Sequence, residues 1–258
     1  MRNIASIAIL AACIAVVGAA QTSTIQPSGP SPAKETKTFL LQSDGNLKIS
    51  NVTGAIKVTT WDKDEVALTA TFKQGSDDEY PKIEVDSQKN SLVLVVKFPK
   101  AKGFFAKLFA GGYDSKATGA CEMELTVPRR INSEISTVNG SIALNKIDGS
   151  HEVSTVNGSV TFDIASGKIE VSTVNGSIKG TIQKNVGNVE ASTVNGGINL
   201  TLADPNGTLS ASTVNGSVKL NTPGAKNISA TKHSVSAKFG DGNAKIDLDT
   251  VNGSIVIQ

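Results

Sequence analysis

Four glutamates, Glu134, Glu152, Glu170 and Glu190, each stand five residues before the asparagine of a repeated Ser-Thr-Val-Asn-Gly segment. Ser210 takes the same place before Asn215, and Asp247 or Asp249 continues the series. If successive copies stack as neighbouring strands, these carboxylates form an outward acidic column with members about 5 Å apart. Like charges at that range repel by about 1 kcal/mol in water. A cation such as calcium, nearby lysines such as Lys168, or splaying into solvent would offset the repulsion. The Asp-rich turns of calcium-binding repeats are missing, so the expectation is a solvated acidic face with no metal and no cofactor.

Other residues with chemical potential are sparse. Cys121 alternates with Met123, Leu125 and Val127, which reads as a buried apolar position and not a nucleophile. His151 and His233 are the two histidines and fall in different repeats, and no Ser-His-Asp set or metal-ligand spacing emerges. The Asn-Gly-Ser/Thr sequons at Asn139, Asn157, Asn175, Asn215 and Asn252 read as turns, not glycan acceptors. Aromatics make up 4% of the chain, and the repeats hold just Phe162 and Phe239, too few for sugar-stacking platforms. A carbohydrate-active β-helix enzyme is therefore the third-ranked reading, and the chain is expected not to be an enzyme. The richest candidate contact is an aromatic excursion at residues 100–118, with Phe104, Phe105, Leu108 and Phe109 beside Lys100, Lys102 and Lys107. Its apolar spacing fits one face of a short helix, either a cap over the fold or a cationic patch for a partner or membrane.

The elements that must position these residues are strands and tight turns. The repeated asparagines are Asn139, Asn157, Asn175, Asn195, Asn215 and Asn252, with spacings of 18, 18, 20, 20 and 37. The last step equals two repeats, and a degenerate copy is expected between them at residues 228–239. A period near 18–20 residues marks a solenoid. Within one repeat, Ile169, Val171 and Thr173 share a face, and beyond Asn-Gly the alternation resumes with Ile178 and Ile182. Asn-Gly between alternating strands also signals a hairpin. An antiparallel array, however, has no need of identical residues at identical offsets. Parallel stacking puts Asn over Asn as a structural corner ladder, with glycine in the left-handed corner. The predicted fold is all-β, a single-domain parallel β-solenoid with coils of about 18–20 residues and Asn-Gly corners.

Residues 1–20 pair Arg2 with an apolar run and small residues before Gln21, which predicts a signal peptide and export; a lipoprotein through Cys13 is the minor alternative. Residues 21–38, rich in Ser, Thr and Pro, are expected to form a disordered tether. Residues 39–130 read as N-terminal solenoid coils interrupted by the excursion, and residues 131–258 as the regular repeats. The net charge of +2 falls to +1 without Arg2, and no basic block suggests nucleic acid. The chain closes on "VNGSIVIQ", and a last coil left uncovered there would invite an end-to-end homo-oligomer.

"NVTGAIKVTTWDKDEVAL", "LTVPRR" and the recurring "STVNGSI" resemble a family of secreted bacterial "putative adhesins" with β-strand repeats, over residues 39–258. The resemblance implies an adhesin-head-like β-solenoid. The expected function is a non-enzymatic exported adhesin or cell-envelope scaffold, binding an unknown protein or glycan ligand in the periplasm, at the cell surface or outside the cell. The alternative is a periplasmic regulatory or accessory protein docking a membrane partner through residues 100–113, with peripheral membrane contact.

Overall fold

A strand that buries one face needs hydrogen-bond partners along its edges and a core beneath it. The computed structural model describes residues 21–75, 79–99 and 119–258, and the described residues form strands and no helix. The first strands are β1 (Gln21–Ile25), β2 (Ala33–Leu40), β3 (Asn46–Ser50), β4 (Ile56–Trp61) and β5 (Glu65–Lys73). They are followed by β6 (Lys82–Gln88), β7 (Ser91–Lys97) and β8 (Ala120–Pro128). The repeats supply β9 (Asn132–Asn139), β10 (Ile142–Asn157), β11 (Val160–Asn175), β12 (Ile178–Asn195) and β13 (Ile198–Leu202). The chain continues through β14 (Gly207–Asn215), β15 (Val218–Leu220), β16 (Lys226–Ala230), β17 (Ser234–Phe239), β18 (Ala244–Asn252) and β19 (Ile255–Ile257).

The protein is all-β, and its sheet is mixed, not purely parallel. Parallel pairing runs through the repeats. β10 lies on β11 with Val153 beside Val171 and Asn157 beside Asn175, and β11 lies on β12 in the same manner. In β10 the backbone turns to positive φ at Lys146 and Gly149, 55° and 119°, where its register against β11 shifts; such values favour glycine at the second position. The inward residues of the strands form one core. One inward row reads Leu94, Ile49, Ile135, Val153, Val171, Ala191, Leu248 and Ala211, every member buried.

Antiparallel pairs close both ends of this stack. β5 pairs with β2 and β8, β6 pairs with β1 and β7, and β17 pairs with β14 and β16. Three expectations need correction. Residues 21–38 are not a disordered tether: they contain β1 and most of β2, which pairs residue for residue with β5. An edge strand needs few apolar residues, and here Ile25 and Ala33 suffice to seat the segment. Residues 228–239 are not a degenerate parallel coil but part of the antiparallel β16–β17 hairpin. Finally, the C-terminal strands do not form an uncovered end. β18 lies between β12 and β14, and β19 between β13 and β15. The last repeat in sequence therefore lies between other strands in space.

Candidate functional site

The repeated Thr-Val-Asn-Gly segment is built from four separate needs. Its threonine points inward and, in every copy but that of Thr137, donates to the glycine carbonyl of the adjacent repeat, as Thr155 to Gly140 at 3.0 Å, Thr173 to Gly158 at 3.0 Å and Thr193 to Gly176 at 2.9 Å. Its asparagines form a continuous amide ladder. Each Nδ2 donates to the Oδ1 of a neighbour: Asn157 to Asn139 at 2.8 Å, Asn175 to Asn157 at 2.9 Å and Asn195 to Asn175 at 2.9 Å. The ladder then jumps to the inserted strand, Asn252 to Asn195 at 2.8 Å, and ends with Asn215 to Asn252 at 2.9 Å. Glycine follows because a Cβ there would collide with the glycine carbonyl of the adjoining coil. Close stacking, not a left-handed backbone, is thus what the Asn-Gly corner demands of its glycine. The valines point outward; Val174, Val194 and Val251 are each 40% exposed and Val214 is 65% exposed.

The outward face of β9, β10, β11, β12 and β18 carries the charged site. Register places Glu134, Glu152, Glu170 and Glu190 in one row and continues it with Asp247, because β18 is inserted there. Ser210 comes after Asp247, not before it. Lysines close both ends of the row. Lys48 Nζ lies 2.6 Å from the Glu134 carboxylate, and Lys245 pairs with Asp247, whose carboxylate raises the Lys245 ammonium above its ordinary range. Asn46, Asn132, Ser150, Lys168 and Asn188 run alongside, and together these residues line a groove of about 590 Å³. A parallel row of hydroxyls, Ser136, Ser154, Ser172 and Ser192, borders the acidic row two residues along each strand. Such a face offers repeated acceptors and hydroxyls at coil spacing, suited to an extended ligand bearing donors or positive charge. Among the described residues no cluster of three or more His, Cys, Asp or Glu side chains is arranged to hold a metal ion.

In the floor of the groove lies a polar pair, Ser133 and His151, that alternation alone did not bring together. Ser133 and His151 occupy an inward row otherwise filled by Leu47, Ile169, Val189, Ile246 and Leu209. Ser133 Oγ and His151 Nδ1 are 2.9 Å apart, and the imidazole is 3% exposed. Its Nε2 and the Oδ1 of nearby Asp148 have no hydrogen-bond partner. Burial pushes the imidazole down to about 4, against the opposing pull of Asp148. The signal was present in the sequence, since the two residues stand 18 apart, one coil. Both members of the pair are buried in the groove lining, and His233 belongs to the β16–β17 turn. Cys121 is buried, its thiol pushed up to about 12 by burial and by Glu122, which leaves it inert as a nucleophile. The proposed contact residues Phe104, Phe105, Lys107, Leu108 and Phe109 lie outside the described residues, as does the predicted signal peptide.

No family model matches the chain, and no curated protein matches it. Among solved structures, it is similar to a "putative cell adhesion protein" from Clostridium sporogenes, with 13% identity, a TM-score of 0.48, and coverage of 88% of this chain and 99% of that one. It is also similar to a "putative adhesin" from Bacteroides fragilis, with 17% identity, a TM-score of 0.42, and coverage of 91% and 100%. A "putative lipid binding protein" from Parabacteroides distasonis follows with 13% identity, a TM-score of 0.29, and coverage of 91% and 99%.

Proposed function

We propose that the chain is an exported, non-enzymatic β-solenoid that works by binding at the cell envelope, holding an extended glycan or protein ligand along its acidic and hydroxyl rows. One observation carries the reading: the outward residues Glu134, Glu152, Glu170, Glu190 and Asp247 stand in strict register over five coils, bounded by Lys48 and Lys245. The core fixes that spacing, so the face is pre-organised and loses little entropy on meeting a rigid repeating partner.

The test uses an antibody to the folded chain on intact and permeabilised source cells, together with retention of the purified chain on isolated envelope material. The reading expects labelling of intact cells and retention that falls about tenfold or more when Glu152 and Glu170 are both changed to Lys. Protection within intact cells, with retention unaffected by the charge reversal, would refute a surface-binding role for this face.

A further inference from the structure

Asparagine followed by glycine is among the most labile pairs in proteins, because an unhindered glycine nitrogen can attack the side-chain amide carbon. The stack carries six such pairs with the same Thr-Val before them, and five share one protection. Gly140 N–H donates to the Asn157 carbonyl at 3.1 Å, Gly158 to Asn175 at 3.1 Å and Gly176 to Asn195 at 3.2 Å. Gly196 donates to Asn252 at 3.1 Å, and Gly253 to Asn215 at 3.1 Å. In each, the attacking nitrogen is already committed to the next coil.

Asn215–Gly216 differs because no further Asn-Gly corner lies beyond it. β17 covers β14 from Gly207 to Ser212, and the turn before β17 accepts from Thr213 N–H at the His233 carbonyl and from Val218 N–H at the Lys232 carbonyl, bracketing the corner without reaching Gly216 N–H. Among the described residues Gly216 N–H has no acceptor, and the Asn215 Oδ1 receives no donor although its Nδ2 is held by Asn252. The neighbouring valine reports the same opening, at 65% exposed for Val214 against 40% for Val174, Val194 and Val251. A seventh pair, Asn206–Gly207, has its Oδ1 held by Gly242 N–H at 2.7 Å.

We infer that Asn215 is a site of spontaneous deamidation, selected from the identical repeats by its place at the open end of the ladder. The Gly216 nitrogen forms a bond to Asn215 Cγ and ammonia leaves, giving a cyclic imide. Water then opens the imide to aspartate or isoaspartate, so one water is consumed and one ammonia released. The product carries a new negative charge and has lost the Nδ2 donor to Asn252, which unpins the terminal coil.

The experiment ages the full folded chain in mildly alkaline buffer and follows each asparagine by peptide mapping, with a parallel sample in denaturant. Conversion at Asn215 is expected to run about fivefold or more ahead of Asn139, Asn157, Asn175, Asn195 and Asn252 in the folded chain. In denaturant the ladder pairs followed by serine should converge, because their local sequences match. Equal rates in the folded chain, a different leading asparagine, or the same ranking in denaturant would overturn the assignment.

Discussion

His151 sets how the protein meets acid. Its proton affinity is depressed in the folded state, from 6.5 to about 4, so the unfolded chain binds the proton more tightly. The stability contributed by the neutral imidazole is therefore fully present above about pH 6.5 and is lost as pH falls toward 4, by about 3 kcal/mol in all. His151→Leu, which matches the neighbouring Ile169 and Val189, should remove that part of the curve in urea titrations repeated across this pH range. Leucine leaves Ser133 Oγ without its partner, so Ser133→Ala with His151→Leu should be more stable than the single variant by about 1–3 kcal/mol. A curve of unchanged steepness in His151→Leu would show that other groups govern acid sensitivity.

Strands impose a second constraint, visible where the rows trade volume. Phe162 on β11 and Leu200 on β13 flank Gly180 on β12, in a row that also holds Leu144 and Ile257. A Cβ on Gly180 would run into the buried Phe162 ring and the Leu200 side chain. Gly180→Ala should thus cost about 1–3 kcal/mol, and Phe162→Leu should recover much of the loss, a coupling that a double-mutant cycle in denaturant can read. Additive losses would mean that the ring does not fill the glycine's space. Much at this scale was legible: the alternation of Ile169, Val171 and Thr173 gave the inward face, and the Asn-Gly recurrence gave the corners. The polarity of residues 21–38 concealed β1 and β2, because an edge strand draws its order from backbone pairing more than from apolar side chains.

Across the molecule, the order of coils in space departs from their order in sequence. Copies of Thr-Val-Asn-Gly are interchangeable as stacking surfaces, so β18 fits equally against β12 and β14, and no residue type marks which neighbours it takes. The β16–β17 hairpin occupies the end that β18 vacates. Its outer strand carries Lys226, a register break before Ser229 and Asn227 at φ 50°, features that discourage edge-to-edge pairing. At the opposite end the edge strands are β1, short and polar, and β2, which presents Lys34, Glu35 and Lys37. With the C-terminal strand interior and these edges guarded, the chain is predicted to sediment as a monomer over a wide concentration range; mass that grows with concentration would contradict this. The order of the repeats is tested most directly by engineered disulfides in the chain from Gln21 onward, which leaves out Cys13 and keeps only the buried Cys121. Glu190→Cys with Asp247→Cys should cross-link readily under mild oxidation, whereas Glu190→Cys with Ser210→Cys should not. The reverse pattern would mean that the coils stack in sequence order, and the continuous five-carboxylate row would not exist.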